Sequence, residues 1–170
     1  MKSLNIMTKT LLGIMVVLLL TGVWVMPAAA AEPEPPERDF SKLEYLLKLA
    51  LIRVEAQQNM LDTAGALADV AEEFIADEQA KGFDTDKLEA ALSSLRSQID
   101  EAQSLHDSAA EVLADKAGFD EDGQVVDPRQ AGDTLRTAHR TMRDAGETLR
   151  RAEQDFREAF RDYRQDKRGD

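Results

Sequence analysis

Cysteine is absent from the 170 residues. That excludes disulfides, thiolate metal sites, thiol catalysis and a lipid-attachment cysteine. Aromatic residues make up only 5% of the chain, against 32% charged residues. Such a balance suits a helical bundle and argues against a sheet protein. Basic charge is also in deficit: the formal net charge of -12 argues against general nucleic-acid binding. No nucleophile motif, phosphate-binding glycine loop or zinc-protease histidine pair occurs. The carboxylates are numerous but lie in charge runs that read as solvated surface. The expectation is a non-catalytic protein with no resident cofactor.

Long hydrophobic runs are limited to one, near the start. Lys2 and Lys9 precede an uncharged apolar stretch from Leu11 to Val25, Pro27 breaks it, and Ala28 to Ala31 offer small residues. This is the pattern of a secretory signal over residues 1–31, with cleavage expected after Ala31. An uncleaved N-terminal anchor is the alternative, although the run is short of the ~20 residues a full span needs. Residues 32–39 follow as a Pro/Glu-rich linker, kept extended by its prolines and like charges. Trp24 is the only tryptophan, so a cleaved chain would have none.

The rest divides into three helical stretches, expected at 41–81, 85–117 and 128–167 within a bundle of residues 40–168. Ser41 and Glu44 have capping-box spacing, with Phe40 and Tyr45 placed for a hydrophobic staple. An apolar stripe follows at alternating intervals of four and three: Leu43, Leu47, Ala50, Val54, Gln57, Leu61, Ala64, Ala68, Ala71 and Ile75. Leu46, Met60, Leu67 and Phe74 are expected to widen it. Gly82 suits the helix end. The second stretch starts among Asp84, Thr85 and Asp86 and carries Leu88, Leu92, Leu95, Ile99, Ala102, His106, Ala109 and Leu113, with its stop expected at Gly118. Pro128 suits the first turn of the third.

That third stretch is a repeat. In sevens from Asp127 it reads DPRQAGD, TLRTAHR, TMRDAGE, TLRRAEQ, DFREAFR, DYRQDKR. An apolar period of seven is two turns of a slightly underwound helix, so a left-handed bundle is expected. Short connections make neighbours antiparallel, giving an all-α, antiparallel three-helix left-handed bundle. Symmetric pairing about Phe83 and Asp122 would gather Phe74, Phe83, Phe156 and Phe160 at one end. Tyr45, Leu46, Phe119, Val125 and Val126 would gather at the other. The third stretch is basic (+2 from Pro128 onward), whereas residues 41–81 and 84–117 carry -4 and -5. An arginine-rich helix lying against two acidic ones is the simplest arrangement.

Three groups of residues are candidate sites. Symmetric pairing sets His106 level with His139, near Gln57 and Met60. A histidine pair suits a transition metal or a pH response; a polar layer that fixes helix register suits the same residues. Arg136, Arg140, Arg143, Arg150, Arg157, Arg161 and Arg164, with Arg168, form a basic face. It fits phosphate or carboxylate groups of an anionic membrane surface or envelope polymer. Equally, the arginine stems cover apolar surface and the heads pair with neighbouring acids. Asp120 to Val125 has the middle of a calcium loop, but Gly118 and Arg129 stand where the end ligands belong, so a plain turn is expected.

The segment His106-Asp107, Ala117-Gly118-Phe119-Asp120 and Gly123-Gln124-Val125-Val126-Asp127, joined to the arginine heptads, resembles a group of secreted bacterial helical proteins with no assigned activity. The resemblance implies an extracytoplasmic location, periplasmic or secreted. The architecture is also similar to spectrin-type repeats, without their tryptophan signature. The small periplasmic stress chaperones carry a Leu-Thr-x-x-Gln motif that this chain lacks. Together these features lead to the expectation of an exported binding or structural module at the bacterial cell envelope, its partner an envelope component or protein.

Overall fold

The computed structural model describes residues 39–169, which form three helices: α1 (Ser41–Ala80), α2 (Asp86–Ala114) and α3 (Pro128–Gly169). Among the described residues there is no strand, only one isolated bridge between Phe119 and Val125. The expected cleavage site at Ala31 and the linker up to Arg38 lie outside the described residues. No described helix is long and apolar enough to cross a membrane.

The start of α1 departs from the capping-box expectation. Ser41 offers no side-chain cap; its own backbone N–H donates to Asp39 Oδ1 at 2.9 Å. That bond and the Ser41 side chain hold the Asp39 carboxyl below its usual range. Glu44 is engaged elsewhere and accepts a hydrogen bond from the Val125 backbone N–H at 3.3 Å. The end of α1 follows expectation. Gly82 takes φ +87°, Phe83 N–H reaches Glu78 O and Gly82 N–H reaches Gln79 O, the paired bonds of a Schellman motif.

Helix α2 stops at Ala114, four residues before the expected glycine, and Lys116 there adopts φ +46°. At 29 residues it is much shorter than α1 (40) and α3 (42). Residues 115–127 fill the space it leaves. Phe119 is buried there and Val125 packs beside it, in one cluster with Leu47, Leu113 and Ala131. The tip is a turn, as expected: Gly123 N–H donates to Asp120 O, Asp120 N–H to Gln124 O, and Asp120 Oδ1 takes the Gln124 amide. A glycine at φ +82° closes it, the usual device of a three-residue hairpin. Asp127 then caps α3 by accepting from the Arg129 and Gln130 amides.

This filled end moves the register. Thr134 Oγ1 donates to Ala117 O at 2.8 Å, and Ala102 shares a cluster with Leu149. Residues of α2 and α3 at one level therefore sum to about 251, not the 245 of symmetric pairing. Many of the buried positions are small: Ala131, Ala138, Ala145 and Ala152 on α3, Ala64 and Ala68 on α1, and Ala102 and Ala109 on α2. Small side chains let helix axes approach closely.

Two expected groupings are revised. Phe74, Phe156 and Phe160 do gather, with Phe74–Phe160 centroids 5.3 Å apart, but Tyr163 joins them edge-on to Phe74. Phe83 stands outside the described ring pairs and has the Lys167 ammonium 3.8 Å above its ring. At the opposite end Tyr45 (65%) and Val126 (67%) are exposed, and Leu43 and Leu47 supply the apolar surface instead. Met60 and Leu67, expected to widen the core stripe, also face solvent.

Candidate functional site

A polar layer crosses the bundle at mid-height. His106 on α2 is only 4% exposed, with Nδ1 3.3 Å from Gln57 Oε1 on α1. The Gln57 amide nitrogen donates to Met142 O on α3 at 2.8 Å. Its neighbour Gln58 exchanges two amide hydrogen bonds with Gln103 of α2. No buried side-chain nitrogen or oxygen among the described residues lacks a partner, so the layer is satisfied rather than vacant. His139 lies elsewhere: it is exposed on α3, and no described hydrogen bond joins it to His106. The register explains the separation. His106 is level with residue 145, six positions and roughly 9 Å along the axis from His139. No group of three or more potential metal ligands occurs among the described residues.

A second polar cluster, unanticipated from the sequence, sits near the aromatic end. Glu78 is 3% exposed and accepts from Tyr163 Oη at 2.6 Å, from Lys81 Nζ at 2.9 Å and from Lys167 Nζ. Those donors, Lys167 foremost, hold its carboxyl down at about 2. Burial pushes the Tyr163 phenol up to about 12, and its bond to Glu78 adds to this. With every partner inside the fold, the cluster ties α1 to α3 and leaves no proton donor aimed at a ligand.

The arginine face is exposed, but its charges pair mainly along α3. Arg136 meets Asp133, Arg143 meets Asp144 and Glu147, Arg157 meets Glu153, and Arg161 meets Asp162. Arg140, Arg150 and Arg164 are exposed; the Arg168 side chain is outside the described set. The described ion pairs between helices use other residues: Arg96 of α2 bridges Asp69 and Glu72 of α1, Lys87 meets Asp166, and Lys167 meets Glu78. The described ion pairs of the α3 arginines are thus with acids of their own helix. Acids every few residues on α3 are closer to each guanidinium than those of another helix.

The surface that stands out belongs to α1. Ile52 (63%), Met60 (59%), Leu67 (59%) and Val70 (62%) are exposed and recur on one side of the helix with Tyr45, Leu49, Ala56 and Phe74. At 100° per residue this row lies roughly 130° around α1 from the row Leu47, Leu61, Ala64, Ala68 that packs inward. Helix α1 is therefore apolar on two sides, and only one of them is covered. Where the row meets α3 it opens into a groove of about 350 Å³ lined by Leu67, Val70, Phe74, Phe156, Phe160 and Arg157. Of this row, the sequence pattern places Met60, Leu67 and Phe74 on the core stripe and leaves Ile52 and Val70 unassigned. What periodicity alone does not reveal is which of two apolar rows has a partner.

Compared with family models, curated proteins and solved structures, the chain matches none.

Proposed function

We propose that the protein is an exported, non-catalytic three-helix module that works by docking through the uncovered side of α1 at the bacterial cell envelope. The observation that carries this reading is the exposed row Ile52, Met60, Leu67 and Val70 running into the Phe156–Phe160 groove. An apolar strip of this length on a charged protein marks a contact surface. The heptads support a left-handed winding of the helices, and the signal pattern ending at Ala31 supports removal of the leader and an extracytoplasmic location. The test has two parts. Mass spectrometry of the C-terminally tagged protein should give a chain starting at Glu32. Replacing Ile52 and Leu67 by Asp should release it from the envelope fraction while its far-ultraviolet spectrum stays helical. An intact leader on a cytoplasmic protein, or unaltered retention of the variant, contradicts the reading.

A second reading, an anionic lipid surface, is favoured by one feature: Arg157 stands at the rim of the apolar groove. Against it, the Arg157 guanidinium already has Glu153 at 2.9 Å. Sedimentation with phosphatidylglycerol vesicles at low and high salt decides: binding that salt abolishes supports lipid, and none removes it.

A further inference from the structure

We propose that the uncovered side of α1 is occupied by α1 of a second copy, antiparallel, about a two-fold axis between Asn59 and Met60. This rests on reading that side as the docking surface, and it names the occupant. The first argument is the spacing of the exposed row. Tyr45, Leu49, Ile52, Ala56, Met60, Thr63, Leu67, Val70 and Phe74 share this side at intervals of 4, 3, 4, 4, 3, 4, 3 and 4 residues, with Leu49 and Phe74 half-buried and the others exposed. Pairing positions that sum to 119 sets Tyr45 against Phe74, Leu49 against Val70, Ile52 against Leu67 and Ala56 against Thr63. Met60 then meets Asn59 beside the axis, and each of the other apolar residues of the row meets an apolar or small one, over about 44 Å of helix. A two-fold contact must be self-complementary in this way, each residue meeting its counterpart twice.

Charge gives the direction independently. The first half of α1, residues 41–60, contains Lys42, Lys48 and Arg53 against Glu44 and Glu55, a net +1. The second half, residues 61–80, contains Asp62, Asp69, Glu72, Glu73, Asp77 and Glu78 and no base, a net -6. Antiparallel pairing lays the basic half against the acidic half and puts Lys48 beside Glu73 on the same flank of the row. Parallel pairing would stack the two acidic halves, which repel.

The groove supplies the third argument. It lies level with Phe74, the position that receives Tyr45 of the second copy. Tyr45, mostly exposed in the single chain, would lie in the groove against the outer faces of Phe74 and Phe160, whose rings already touch, with the Arg157 head available to its ring face. An exposed aromatic and an unfilled aromatic groove thus belong to one contact, made twice.

The chain has no cysteine, so introduced thiols are unique probes. The full chain, purified through a C-terminal tag, is treated with a short bismaleimide. Met60→Cys should cross-link to itself, Tyr45→Cys should not, and a mixture of Ile52→Cys and Leu67→Cys should give a hybrid that neither gives alone. Light scattering should report twice the monomer mass, falling to one in the helical Ile52→Asp, Leu67→Asp variant. Self-linking of all four thiols would show parallel pairing and overturn the proposal. So would a monomer up to high micromolar concentration. A monomer whose Asp variant still leaves the envelope fraction would reject the second copy and keep the docking surface; a monomer bound to phosphatidylglycerol vesicles would give the surface to lipid. A dimer whose Asp variant is monomeric yet still retained would support the pairing and reject this side as the envelope contact.

Discussion

Gly118 is where a single methyl group should do the most damage. Its φ is +90°, and a Cβ built there would stand 2.1 Å from Ala131 N and 2.7 Å from Asp127 O. These are backbone atoms of the first turn of α3, so they move only if the helix moves. The left-handed conformation alone costs a residue with a side chain about 1 kcal/mol. Separating the loop from α3 also threatens three hydrogen bonds: Val126 N–H and Asp127 N–H to Gly118 O, and Thr134 Oγ1 to Ala117 O. At about 1 kcal/mol each, Gly118→Ala should cost ~3–4 kcal/mol, a large share of the ~5–15 kcal/mol that holds a domain. Two other glycines are internal controls. Gly123 (φ +82°) has only Leu47 Cδ2 at 3.4 Å, and Gly82 (φ +87°) has nothing within 4 Å. Their alanine variants pay the conformational term alone, ~1 kcal/mol each. Urea unfolding followed by circular dichroism at 222 nm measures all three. If the three variants fall within about 0.5 kcal/mol of one another, the close approach of loop and helix has no energetic weight and the packing argument fails.

Glu78 should set the acid limit. Its carboxyl titrates near 4.5 unperturbed and is held at about 2 in the fold, so its contribution is complete above about pH 4.5 and is lost as the pH falls through 2. Glu78→Gln should flatten the urea midpoint across that window; an unchanged acid slope would contradict the assignment. Tyr163 should set the alkaline limit in the opposite sense. Raised from 10.0 to about 12, its contribution is intact below pH 10 and is lost as the pH rises through 12, a dependence Tyr163→Phe should remove from the thermal midpoint. Leu113, 1% exposed, should cost ~2–5 kcal/mol as alanine. Arg96→Ala breaks a surface pair and should cost under ~1 kcal/mol; a loss as large as that of Leu113 would mean the pair is not solvent-screened.

Helix α3 was readable because its period of seven repeats with little interruption, and the alanines at its fixed place, Ala131, Ala138, Ala145 and Ala152, are buried where the heptads put them. Helix α1 was harder. Two apolar rows share it, and Met60 and Leu67 obey helical spacing as well as Leu61 and Ala68 do, so pattern alone assigned all four inward. The register was misread for a different reason. Symmetric pairing assumes that the reversal after α2 is empty, whereas Phe119 and Val125 pack there in place of further helix. The level of His106 on α3 moved with it, away from His139 and toward Met142 and Ala145, while Gln57 of α1 stands beside it as expected. The Glu78 cluster left no local signal: its donors Tyr163 and Lys167 are 85 and 89 residues away in the chain. The capping box expected at Ser41 does not form because Asp39, two residues earlier, takes the Ser41 amide and Glu44 is drawn off to Val125.

Because residues 115–127 complete one end of the core, the two arms of this reversal differ in what they tolerate. At Glu121–Asp122 the backbone is exposed and only a turn depends on it. Cutting the chain there should leave the pieces clasped, α3 held by α2 and by the Phe119 wedge, and co-eluting on gel filtration after the nick. One residue inserted between Ala114 and Phe119 should instead throw Phe119 and Gly118 out of place and loosen α3 at its root. Length changes among future homologues should therefore cluster at the tip and spare the stem, so the reversal behaves as a hinge pin rather than a tether.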